Sequence, residues 1–161
     1  MMHRRTLLAA LPLLAGCTPS LGAFDSLAPR DRGVRRVAHD VAYGEGARRK
    51  LDVYAPAEAA GALPVIVFIY GGSWANGDKD DYEFLGAALA SRGFVTVVPD
   101  YRLVPEVRFP SFVEDCAAAV RWVSDHVAEY GGDGRRIVLV GHSAGGYNAV
   151  MLALAGDYLR N

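Results

Sequence analysis

The stretch Arg136-Ile137-Val138-Leu139-Val140-Gly141-His142-Ser143-Ala144-Gly145-Gly146 decides how this chain is read. Ile137 to Val140 are continuously apolar and mostly β-branched, as in a buried strand. The G-x-S-x-G pattern at Gly141–Gly145 follows at once, and residues 143–155 read as a helix. G-x-S-x-G alone is a common pattern, but its place on a strand-to-helix turn is specific. Such a turn holds the serine in a strained backbone conformation that exposes its Oγ. Gly141 and Gly145 are expected where strand and helix pass too closely for a Cβ. Ser143 is therefore the candidate nucleophile.

Moving upstream, residues 111–129 carry Phe112, Cys116, Val120, Val123 and Val127 at steps of three and four, one apolar helical stripe. Ser111 is expected as its N-cap, with Glu114 completing a capping box, and Gly131 and Gly132 stop it. Cys116 lies on the apolar face and reads as a buried, inert thiol. Residues 94–98 form a second buried strand, closed by Pro99. Residues 80–92 form a helix with Tyr82, Leu85 and Leu89 on one face. Residues 64–70 (PVIVFIY) are the most continuously apolar strand of the chain. Residues 34–43 and 49–54 alternate and are expected to pair as an antiparallel hairpin across Gly44-Glu45-Gly46. Strand–helix alternation after a hairpin predicts one α/β domain, a mostly parallel sheet with helices on both faces.

The strand at 64–70 runs into Tyr70-Gly71-Gly72-Ser73-Trp74. Together with the serine turn 71 residues later, this resembles the α/β-hydrolase superfamily. It is most similar to the hormone-sensitive-lipase-like, feruloyl-esterase-like and kynurenine-formamidase-like carboxylesterase branches, which carry an H-G-G-[GY]-[WF] loop after this strand. Here Tyr70 stands in place of the family histidine and Ser73 in place of the third small residue. The resemblance implies an oxyanion hole built from the backbone N–H groups of Gly72, Ser73 and Ala144, with Gly141 and Gly145 forming the elbow. It implies acyl transfer to water from a small ester or amide. The sequence has no His/Cys/carboxylate cluster at metal spacing and no phosphate loop, so no cofactor or metal is expected. The resemblance also implies the strand order 1-2-4-3-5, which leaves residues 136–140 on an open edge. Gly77-Asp78-Lys79 and Asp100-Tyr101-Arg102-Leu103 resemble family segments too and are read as structural loop and ion-pair elements.

In that superfamily the acid and the histidine base follow the serine in the chain. His3, His39, His126 and His142 all precede Ser143, and Asp157 is the only acid after it. His39 and His126 read as surface residues, His142 as the variable elbow position, and Asp157 as a helix-end residue. The expectation is an N-terminal portion of a larger serine esterase, truncated after the elbow helix. The competing expectation is a catalytically inactive, lipid-anchored binding module.

The start of the chain has the pattern of an address. Arg4 and Arg5 precede an apolar run of about ten residues, below the roughly 18 needed to span a bilayer. Leu14-Ala15-Gly16-Cys17 resembles a bacterial lipobox, which implies cleavage before Cys17 and acylation of its sulfur. The expected organisation is a signal peptide over residues 1–16, a tether over 17–33 and the hydrolase domain over 34–161. The product would be exported and anchored in the bacterial envelope through Cys17. Composition excludes other classes. With 17 Lys and Arg against 18 Asp and Glu there is no basic surplus for nucleic acid, and two cysteines are too few for a disulfide scaffold.

Overall fold

The computed structural model describes residues 21–28, 33–155 and 157–160. The expected signal peptide and Cys17 lie outside the described residues. No helix among the described residues is long and apolar enough to cross a membrane.

Five strands form one sheet. β1 (Val34–Ala42) and β2 (Lys50–Pro56) make the expected hairpin. β3 (Leu63–Ile69), β4 (Val95–Pro99) and β5 (Gly132–Gly141) follow, and the order across the sheet is β1-β2-β4-β3-β5, as expected. β3 pairs in parallel with both β4 and β5, and β2 pairs antiparallel with β1 and β4, so β2 alone runs against the rest. β3 and β4 are the buried centre: Val65, Val67, Ile69, Val95 and Val97 have no exposed surface.

β5 departs from the expectation of a buried strand. Val138 and Val140 are exposed, at 52% and 36%. The cause is topological, since among the described residues β5 has one neighbour, β3, and forms the rim of the sheet.

The helices are α1 (Leu21–Leu27), α2 (Glu83–Ala90), α3 (Ser111–His126) and α4 (Ala144–Leu154). From β3 to β4 the chain steps toward β1, and from β4 to β5 it steps back. Right-handed crossovers therefore place α2 on one face and α3 on the other, where α3 packs on α4.

Three local expectations need correction. The helix expected over 80–92 is split: a 3-10 turn, Lys79–Tyr82, precedes α2. Asp78 caps that turn, its carboxylate accepting from the Asp80 N–H at 3.0 Å. Ser111 is not the N-cap of α3. Pro110 holds that position without a side-chain cap, and Ser111 sits one residue inside, its N–H donating to the Arg108 carbonyl. Part of the expected tether is folded as well. α1 docks beside the 3-10 turn, with Phe24 edge-on to Phe84 at 5.1 Å. The buried Asp25 carboxylate accepts the Phe84 N–H at 2.5 Å. Tyr82 offers α2 no side-chain cap, so Asp25 supplies one from outside the helix. A count of Pro and Gly could not reveal a capping partner 59 residues away.

Candidate active site

Two loops meet at the C-terminal ends of β3 and β5. The first begins at Tyr70, which has no exposed surface. Its hydroxyl donates to Asp100 Oδ1 at 2.6 Å and accepts from Arg48 Nη2 at 2.7 Å. Its carbonyl accepts from the Tyr101 hydroxyl at 2.8 Å. Its ring is stacked between Tyr82 and Tyr101, with centroids 5.7 and 4.8 Å away. Asp100 Oδ1 also accepts the Lys79 N–H at 2.9 Å. Burial raises the Asp100 carboxyl above its ordinary range, against the pull of these donors. Tyr70 thus fixes the start of the loop, at the position where the resembled family carries a histidine.

Beyond Tyr70 the backbone turns sharply. Gly72, Ser73 and Trp74 all have positive φ, at 129°, 54° and 56°. The Gly72 carbonyl accepts from Ala75 and Asn76, both at 3.0 Å, and a Cβ on Gly72 would run into the Asn76 carbonyl. Among the described residues, no acceptor is bonded to the N–H groups of Gly72 or Ser73.

The second loop is the serine turn. The His142 N–H donates to the Ile69 carbonyl at 3.1 Å, tying the end of β5 to the end of β3. Ser143 has φ 54° and ψ −118°, sparsely populated for a residue with a Cβ, and its side chain is exposed. The Ser143 carbonyl accepts from Tyr147 at 3.1 Å and starts α4. The adjoining Ala144 is buried and, among the described residues, its N–H has no bonded acceptor. A Cβ on Gly141 would meet the Gly145 carbonyl, and one on Gly145 the carbonyls of Ile69 and Tyr70. The close approach expected at both glycines is present.

The loops touch through Gly71, which the sequence reading did not single out. A Cβ there would sit 2.8 Å from the His142 carbonyl oxygen and 3.0 Å from the Ser143 Cβ. Trp74 and Asn148 form a second tie. Trp74 Nε1 donates to Asn148 Oδ1 at 3.0 Å. The Trp74 ring stacks on Phe112 at 5.3 Å and meets Tyr147 edge-on at 5.5 Å. Asn148 is fully buried on α4 and its Nδ2 donates to Cys116 Sγ at 3.6 Å. Cys116 is buried as expected, and burial pushes its thiol up, away from reactivity.

Among the described residues no histidine or carboxylate is hydrogen-bonded to the Ser143 side chain. His126 is exposed and stacks on Trp122 at 4.8 Å. His39 is oriented by buried Asp52, with Nδ1 3.0 Å from Oδ1. It lies on β1, at the rim opposite β5, so four strand spacings, about 19 Å, separate it from the serine turn. Asp157 is exposed beyond α4.

The segments read as structural behave so. Arg102 makes a bidentate pair with buried Asp115, both contacts at 2.8 Å. Lys79 is buried, with Nζ 2.9 Å from Asp40, 3.2 Å from Asp52 and 2.8 Å from Asp80. His39, Asp40 and Asp52 converge closely enough to share a cation, a grouping the sequence spacing did not show. The Lys79 ammonium already serves as the cation between Asp40 and Asp52.

A crossover sheet bearing a strained serine between β5 and α4, beside a glycine loop after β3, is the architecture of the α/β-hydrolase esterases. The chain belongs to the BD-FAE family, whose model matches residues 51–160. It is 40% identical over 119 residues to a probable isoprenylcysteine alpha-carbonyl methylesterase of Oryza sativa subsp. japonica, covering 74% of this chain and 28% of that protein. It is 44% identical over 107 residues to the carboxylesterase NlhH of Mycobacterium tuberculosis, covering 65% of this chain and 34% of that protein. Among solved structures, esterase B from Lactobacillus rhamnosis superposes with a TM-score of 0.77 at 29% identity, covering 83% of this chain and 44% of that one. The chain thus spans about a third of the length of these curated relatives.

Proposed function

We propose that this chain supplies the nucleophile and oxyanion-hole half of a serine carboxylic ester hydrolase. The observation that carries the proposal is Ser143, exposed at φ 54° and ψ −118° and butted through Gly71 against a loop of positive-φ residues. In this reading Ser143 Oγ attacks the carbonyl carbon of an ester, or of an amide such as a formamide. The C–O or C–N bond to the leaving group then breaks, leaving an acyl group on Oγ. The N–H groups of Gly72, Ser73 and Ala144 hold the negative oxygen of the tetrahedral intermediate. Water hydrolyses the acyl-enzyme and restores the serine. The base that takes the Oγ proton, and the acid that orients it, come from the further length that the relatives possess. The esterase names of those relatives support this reading. The product is exported and held in the bacterial envelope through acylated Cys17.

A second reading rests on one observation, that no base is bonded to Ser143 among the described residues. The protein would then be an inactive, lipid-anchored binding module. Fluorophosphonate labelling of the source cell's membrane fraction separates the two. Labelling of the polypeptide that carries this chain, lost in Ser143→Ala, supports the hydrolase. A serine variant should lower turnover on the order of 10⁶-fold. Absence of labelling on a folded, membrane-bound product supports the binding module.

A further inference from the structure

We propose that Arg48 is a positioning residue for acyl transfer, clamping the neck of the glycine loop so that the Gly72 and Ser73 N–H groups are in place before substrate arrives. The inference rests on the oxyanion-hole reading above. Those N–H groups lie on a stretch that turns through three successive positive-φ residues, Gly72, Ser73 and Trp74. Donors of this kind stabilise an oxyanion only when they are fixed in advance. What fixes them here acts on the two ends of the loop.

The ends lie together. Gly77 has φ 107°, and a Cβ on it would stand 2.7 Å from the Gly71 carbonyl oxygen and 2.9 Å from the Tyr70 ring. One guanidinium nitrogen joins both ends. Arg48 Nη2 donates to the Gly77 carbonyl at 2.6 Å and to the Tyr70 hydroxyl at 2.7 Å. Arg48 Nε donates to the Tyr101 carbonyl at 3.0 Å, just past β4. The strand order explains how a residue so far from the loop in the chain reaches it. Arg48 belongs to the turn between β1 and β2. The start of β2 lies beside the end of β4, with Leu51 opposite Pro99, and β4 runs parallel to β3. The hairpin turn and the glycine loop therefore share one edge of the sheet. Two features make the role geometric rather than a matter of charge. The guanidinium is already offset by Asp100 at 3.4 Å and Asp78 at 3.8 Å. Its bonds also run to three separate points, which a planar fork holds in fixed directions and an ammonium on a flexible stem does not.

The test uses the full polypeptide that carries this chain, with p-nitrophenyl acetate as substrate. Arg48→Lys keeps the charge and loses the fork; Arg48→Ala loses both. Each is expected to lower kcat about 10²-fold, with KM moved less than about threefold, because a misplaced donor is felt in the transition state. Far-UV circular dichroism should stay that of the parent. Methylguanidinium at about 20 mM should restore roughly tenfold of the loss in Arg48→Ala, by refilling the fork's place, and leave the parent unchanged. Parental kcat in either variant overturns the inference, as does a loss confined to KM or a failure of methylguanidinium to recover turnover. Loss of the circular dichroism signal in both variants makes Arg48 a determinant of the fold and also overturns it. A parent polypeptide that neither hydrolyses the ester nor takes a fluorophosphonate label overturns the hydrolase reading, and this inference with it.

Discussion

Ser143→Gly is expected to stabilise the domain while removing its nucleophile. Ser143 sits at φ 54° and ψ −118°, a conformation that costs a residue with a Cβ about 1–3 kcal/mol. Its side chain is exposed and makes no hydrogen bond among the described residues, so deleting it sacrifices little. Glycine relieves the strain but adds about 0.5–1 kcal/mol of unfolded-state freedom to be lost on folding. The net gain is roughly 1 kcal/mol. Ser143→Ala is the control, because it loses the hydroxyl and keeps the Cβ, and it should stay within about 0.5 kcal/mol of the parent. Urea unfolding followed by tryptophan fluorescence measures both. With a slope of about 1–3 kcal/mol per molar for a domain of this size, the glycine variant should unfold roughly 0.5 M later than the alanine variant. A glycine variant that unfolds together with the alanine variant, or before it, refutes the assignment of strain to this turn.

Two further outcomes follow from the same contacts. Trp74→Phe and Asn148→Ala each remove one side of a bond into a buried site. Unfolding followed by circular dichroism should show the double variant less destabilised than the sum of the single ones by about 1 kcal/mol; a difference of only a few tenths would mean that the two side chains are not coupled. The hydrogen bond from Lys79 holds the Asp40 carboxyl below its ordinary range. Asp40 therefore contributes stability above the unfolded carboxyl value, near pH 4, that is lost as the pH falls through its lower folded value. Asp40→Asn should flatten the acid limb of the stability curve, and an unchanged limb below about pH 4 would remove Asp40 from the account.

The fold was legible where apolar runs and turn residues agreed. The strands at 64–70 and 94–98 are continuously apolar because they lie at the buried centre of a sheet, and β3 and β4 occupy that place. The serine turn was legible because steric crowding at Gly141 and Gly145 leaves a mark in residue type. What escaped depends on partners distant in the chain. Asp25 caps a helix 59 residues on. Asn148 gains meaning only opposite Trp74, 74 residues before it. Gly71 carries no pattern of its own in the sequence, yet it is the position where two loops must nearly touch. Ser111 misled because a capping pattern set one residue inside the helix looks the same on paper as one at its end.

Tyr70 has a consequence for how the protein responds to acidity. A histidine in its place would exchange charge between about pH 5 and 8, and the loop it holds would feel each protonation. The phenol of Tyr70 is pushed upward by burial and by the neighbouring Asp100, so it keeps its proton throughout that interval, as does the Arg48 guanidinium bonded to it. The hold of Tyr70 on the start of the loop is thereby insulated from neutral-range titration. Any pH dependence of chemistry at Ser143 in that interval then does not arise from the bond between Tyr70 and Arg48 that holds the loop.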